Sequence, residues 1–127
     1  VSASARLHHI ALGARDVARV ARFYREVLGL VETARHLTDD GELRSIWLDL
    51  SGSLLMIERT EDPPRRVEGV GAGPFLLAFR VSPDERSALE RRVEAAGATI
   101  ESRSGFSSYF RDPEGNRVAV SHYPDST

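Results

Sequence analysis

The chain of 127 residues predicts an α+β fold of two similar halves, each a strand, a helix and about three more strands. The first observation behind this is an internal repeat. Leu7 to Leu12 reads as a strand and is followed by a helix that Gly29 closes; Phe75 to Val81 reads as a strand and is followed by a helix that Gly97 closes. The interval from His9 to Gly29 is twenty residues and that from Leu76 to Gly97 is twenty-one, so His9 and Leu76 hold equivalent places. The second is a run of short strands with turn residues after each helix. The third is a segment rich in Pro and Gly, Thr60 to Pro74, which separates the halves.

The elements follow in order. Asp16 is a good N-cap, and Val17, Val20, Ala21, Tyr24 and Leu28 form one helical stripe before Gly29. Leu30 to Arg35 is a short strand, and Thr38-Asp39-Asp40-Gly41 a turn. Arg44 to Leu50 and Leu54 to Arg59 are strands of a hairpin joined by Ser51-Gly52-Ser53. The second helix carries a capping box, with Ser82 as cap, Pro83 in the first turn and Glu85 three residues on. Its buried face is expected from Ala88, Leu89, Val93 and Ala96. Thr99 to Arg103, Ser107 to Arg111 and Arg117 to His122 complete the strands, the last two around the turn Asp112-Pro113-Glu114-Gly115-Asn116. One domain over 1–127 is expected, with a first module at about 6–60, a linker at 61–74 and a second module at 75–123. Halves of that size are marginal alone.

Composition excludes several function classes. A net charge of −2 carries no footprint for nucleic acid or an anionic membrane. No apolar run approaches a membrane span, and the first residues lack a signal-peptide pattern, so the expected location is the cytoplasm. With no Cys, thiolate chemistry and disulfides are absent.

Three strings together resemble the vicinal-oxygen-chelate superfamily, the glyoxalase, bleomycin-resistance and extradiol-dioxygenase group. They are HHIALGARDVARVARFYREVLGL at 8–30, FLLAFRVSPDERSALERRVEAAGA at 75–98 and SYFRDPEGNRVAV at 108–120. Phe23-Tyr24 with Leu28-Gly29, and the Asp112 to Asn116 turn, are the most specific parts. The resemblance implies paired βαβββ modules forming a curled mixed sheet around a cavity, and a homodimer. It also implies one divalent metal on the cavity wall. Of the family's ligand positions, His9 matches, Leu76 stands where His is frequent, and Ala119 stands where Glu is usual. The remaining position falls on Ile57, or on Glu58 if the register shifts by one, because Leu54 to Ile57 are all apolar. A catalytic metal ordinarily needs three protein ligands. No metal or other cofactor is therefore expected; His9 with Glu58 is the minority alternative.

Strand alternation and the same resemblance give the cavity lining. His9, Trp47, Asp49, Leu76, Arg80, Tyr109, Arg111 and Ala119 face in, while His8 faces the helix side. Asp49 either binds ligand or pairs with Arg80 or Arg111; Arg111 either holds an anion or braces the adjacent turn. His36 is expected in a loop and His122 on an outer face. The leading functional reading is a module that binds a small organic molecule without a metal, with antibiotic sequestration as one use. The alternative is a metal-independent isomerase, lyase or cyclase using His9, Asp49 and Tyr109 for acid–base chemistry. A divalent-metal lyase or dioxygenase with an atypical site comes third.

Overall fold

The computed structural model describes residues 4–126. The order is β1 (His9–Ala14), α1 (Val17–Leu28), β2 (Glu32–Leu37), β3 (Leu43–Asp49), β4 (Leu54–Arg59), β5 (Leu77–Arg80), α2 (Pro83–Ala95), β6 (Ser102–Arg103), β7 (Ser107–Arg111) and β8 (Arg117–Ser121). Each half makes its own four-stranded sheet, with orders β1-β4-β3-β2 and β5-β8-β7-β6. In each sheet the first and last strands of the module pair in parallel and the remaining pairs are antiparallel. The sheets are therefore mixed, as expected, and repeat one topology.

The helices hold the two halves together. α1 lies against β3 and β4, α2 lies against β7, and the helices touch each other. Asp16 caps α1 by accepting from Arg19 N at 3.1 Å, and Gly29 ends it with φ at 71°. Arg92 of α2 donates from Nε to the carbonyl of Val27 at 3.0 Å, so one helix supplies a partner for the other's last turn. The capping box of α2 forms as read, with Glu85 accepting from Ser82 N at 2.9 Å. One buried cluster draws from both modules, including Val20, Tyr24, Ile46, Leu55, Leu89, Phe110 and Val118.

Four expectations change. The buried stripe of α1 also takes in Phe23 and Val27, because the helix packs on one sheet and touches residues of the other. The buried face of α2 reduces to Leu89 and Val93, with Ala96 exposed at the cap, because this helix packs chiefly on β7 and α1. The strand expected over Thr99 to Arg103 shortens to Ser102–Arg103. Finally, the sheets do not close around one cavity: one face of each packs on the helices and the shared core, and the other face is left open. No helix among the described residues is long and apolar enough to cross a membrane.

Candidate functional site on two open sheet faces

Cross-strand register assigns the residues of each open face. On the first sheet, Ile10, Ile46, Leu48, Leu55 and Ile57 point at α1. The opposite face carries three rows. His9 lies opposite Leu54, which lies opposite Asp49; Ala11, Met56, Trp47 and Ala34 form the next; Gly13, Glu58, Ser45 and His36 form the third. On the second sheet, Leu77, Phe79, Phe110, Val118 and Val120 point inward. Its open face carries Arg80 with Ser121 and Ser107, then Ala78 with Ala119, Tyr109 and Ser102. Leu76 lies just ahead of β5, outside the paired strand.

Trp47 is the centre of the first face. The His9 ring lies 5.2 Å from its ring centroid, the His36 ring 6.0 Å and the His8 ring 6.3 Å. His8 and His9 also meet through their Nδ1 atoms at 2.9 Å, so one ring donates and the other accepts. This overturns two expectations. His8 precedes the first residue of β1 and is freed from strand alternation, so its ring reaches Trp47 and not the helix side. His36 lies in β2, because that strand runs two residues further than the sequence suggests.

Asp49 closes its own hairpin, accepting from Ser51 N at 3.0 Å, and it pairs with neither Arg80 nor Arg111. It lies two strands from His9, about 10 Å at the usual strand spacing. On the second face Arg117 lies over the Tyr109 ring at 4.8 Å. That contact was invisible to sequence reading, because it depends on the pairing of β7 with β8. The Ser107 hydroxyl donates to Ser121 Oγ at 2.8 Å.

Arg111 is not free to hold a ligand. Its guanidinium donates to Glu101 Oε1 at 3.1 Å, to the Gly115 carbonyl at 3.1 Å and to the Val67 carbonyl, and it lies 3.5 Å from Glu68. It also borders a cleft with Arg19, Phe23 and Pro113 on the helix side. The brace reading is the one the geometry supports: Arg111 ties the inter-module connector to the turn. His122 likewise is buried and not on an outer face. It sits at 3.2 Å from Arg86 Nη1, and Arg86 also donates to Ser108 Oγ and to the carbonyls of Ser104, Gly105 and Ser107.

The donor set does not fit the metal that the superfamily resemblance implies. Ile57 is wholly buried in the helix-side core. Glu58 does face the same way as His9, but it lies opposite Gly13, four residues from His9, or about 13 Å along the sheet. One ion bound at 2.0–2.2 Å cannot use both. The side chains of Leu76 and Ala119 offer no donor atoms; Ala119 stands on the other sheet and Leu76 immediately precedes β5 of that sheet.

The structure thus gathers Trp47 with His9 on one open face, and Arg80, Ala119 and Tyr109 on the other. It does not bring His9 or Asp49 to Tyr109 within one chain. The first face carries two carboxylates, Asp49 and Glu58, and no arginine; the second carries Arg80 and Arg117.

Comparison with known proteins agrees with this architecture. A glyoxalase-like domain family matches residues 9–121. The glutathione transferase FosA of Serratia marcescens is 31% identical over 121 residues, covering 90% of this chain and 78% of that protein. A fosfomycin resistance protein FosX from Listeria monocytogenes, solved with Mn(II) and 1S,2S-dihydroxypropylphosphonic acid, superposes with a TM-score of 0.77 at 19% identity, covering 94% of this chain and 93% of its own. A glyoxalase/dioxygenase from Nostoc punctiforme gives 0.76 at 25% identity, covering 98% and 97%. The chain belongs to the glyoxalase-like domain family.

Proposed function

We propose that this chain binds a small organic molecule in a cavity that two copies complete, without a resident catalytic metal. One observation carries the reading: the lining residues lie on two outward faces of opposite charge. Trp47, His9 and Asp49 sit on one, and Leu76, Arg80, Tyr109 and Ala119 on the other. Each face alone is too open for a ligand site, which ordinarily encloses most of its ligand. A second copy laying its Arg80 face over the Trp47 face satisfies both charges and makes an isologous homodimer with two equal cavities.

In such a cavity Trp47 stacks on a planar ligand. Arg80 holds an acidic group, and Ala78 and Ala119 give a small, flat floor. Fosfomycin resistance proteins among the relatives make an antibiotic a reasonable occupant, held by sequestration. His9, Asp49 and Tyr109 would meet for acid–base work only across the two copies.

The test has two parts. Light scattering on the purified chain is expected to give a dimer. Thermal shift is then read with fosfomycin, with planar aromatic antibiotics, and with each plus Mn(II) or glutathione. A ligand at a hundred times its Kd stabilises by about 2.7 kcal/mol. Stabilisation without Mn(II), and no consumption of ligand, supports the reading. A monomer at all concentrations overturns it, as does a requirement for stoichiometric Mn(II). Turnover that His9→Ala abolishes would replace binding with the acid–base alternative.

A further inference from the structure

We infer that the first sheet's open face contains a hydrogen-bonding subsite, made by Ser45, Trp47 and Glu58, for an uncharged N–H/C=O group of a ligand such as a cyclic imide or pyrimidinone. This rests on the open face being the ligand face, as proposed above.

Two polar atoms among the described residues are buried with no hydrogen-bond partner, and both lie on this face: Ser45 Oγ and Trp47 Nε1. They are two residues apart on β3, so they point the same way. Ser45 is 2% exposed. A buried donor left unpaired costs about 1–3 kcal/mol, and elsewhere buried polar groups in this fold are well matched. Asp112 accepts four hydrogen bonds, and Ser108 is bonded on both sides. Unpaired donors concentrated at one place mark a site whose partners arrive from outside.

The third group is Glu58, directly opposite Ser45. It is half-buried and makes no hydrogen bond or ion pair among the described residues, although arginines satisfy several carboxylates nearby, such as Glu42 and Glu61 on Arg59. These two adjacent rows then offer two donors and an acceptor. A ligand carbonyl accepts from Ser45 Oγ–H and Trp47 Nε1–H, and its neighbouring N–H donates to Glu58. At Gly13, opposite Glu58, the Thr60 side chain closes that end of the row, lying 3.2 Å from where a Cβ would stand. With Glu58 and Asp49 on the face and no arginine, a phosphonate or carboxylate is repelled here and belongs on the Arg80 face. His36 and Glu58 flank Ser45, and rotation of these rim side chains uncovers it.

Trp47 is the only tryptophan of the chain, so its fluorescence reports this face, and the comparison of two probes of one shape separates hydrogen bonding from stacking. The probe is uracil, which has an N–H between two carbonyls; 1,3-dimethyluracil keeps the carbonyls and shape but has no N–H. Uracil is expected to quench Trp47 saturably, and dimethyluracil not to. Ser45→Ala and Glu58→Gln are each expected to weaken uracil by roughly five- to twentyfold. Ser45→Ala is also expected to melt no lower than the parent, because it removes an unpaired buried hydroxyl; a merely structural serine would lower it. The inference is overturned by equal quenching from both uracils, by an unchanged Ser45→Ala titration, or by no quenching up to the solubility of uracil. All three residues lie within one chain, so a monomer that still binds uracil sinks the two-copy cavity and keeps the subsite. A ligand-binding dimer indifferent to uracil does the reverse.

Discussion

The Tyr24 hydroxyl donates to Asp112 Oδ2 at 2.7 Å across 88 residues of sequence, and neither residue is accessible to solvent to any useful extent. It joins α1 of the first module to the turn between β7 and β8 of the second. The same carboxylate accepts from the backbone N–H groups of Glu114 and Asn116 at 2.9 Å each, and from Asn116 Nδ2 at 2.8 Å. The two most specific sequence motifs, Phe23-Tyr24 and Asp112 to Asn116, are therefore the two halves of one contact. They are structural.

Tyr24→Phe is expected to destabilise the chain by about 2 kcal/mol, within the range for a hydrogen bond to a charged group. Chemical denaturation with an unchanged m-value checks it. Loss of nothing measurable would show that Asp112 is satisfied by its turn alone.

Alkaline stability follows from the same residue. Burial, then the adjacent Asp112 charge and hydrogen bond, push the Tyr24 phenol well above its ordinary range. The folded state keeps a proton that the unfolded state loses near pH 10. The stability this contributes is full below that pH and is lost progressively as pH rises above it. A denaturation series from pH 9 to 11 is expected to fall more steeply for the parent than for Tyr24→Phe.

Acid stability has a matching group at the other end of the chain. Glu90 accepts from Arg103, through Nε at 3.1 Å and Nη2 at 2.8 Å, and from the Ser108 hydroxyl. The Arg103 hydrogen bonds lower its carboxyl below the usual range; burial opposes this, and Ser108 adds to the lowering. Its contribution is present above the unfolded carboxylate value near 4.3, and disappears as pH falls through the lower folded value. Glu90→Gln is expected to flatten the acid limb of a melting-temperature profile while leaving the alkaline limb alone.

Arg111→Ala is expected to cost about 2–3 kcal/mol, since it leaves the Val67 and Gly115 carbonyls without this donor and Glu101 with Arg66 alone. Hydrogen exchange would show the connector around Val67 opening. Ligand stabilisation and Trp47 emission are expected to stay as in the parent. A selective loss of ligand binding in a well-folded Arg111→Ala would return this residue to the site.

Much of the fold was legible because it depends on short-range chemistry. Asp16, Gly29, Ser82 with Glu85, and the Asp112 to Asn116 turn act within a few residues of themselves, and each does what its spacing says. Face assignments on β1, β3, β7 and β8 followed from strand period two. They failed at His8, one residue before its strand begins, and at His36, where the strand end was misplaced. His122 was misjudged, and the choice between the two readings of Arg111 was left open, because their partners come from α2 and from the connector, at separations no local pattern encodes.

The sequence by itself determined the repeat, the strands and helices of each module, the family, and the absence of donor atoms at Leu76 and Ala119. Tertiary structure alone decided that the strands divide into two sheets, each with one face on the helices, so that the residues expected to line one cavity lie on two separate open faces. It alone showed the Ser45 Oγ and Trp47 Nε1 atoms buried without partners, opposite and beside a Glu58 that has none among the described residues. The reason is physical: capping and alternation are set by neighbours along the chain, whereas burial and hydrogen-bond satisfaction are set by whichever strand arrives alongside.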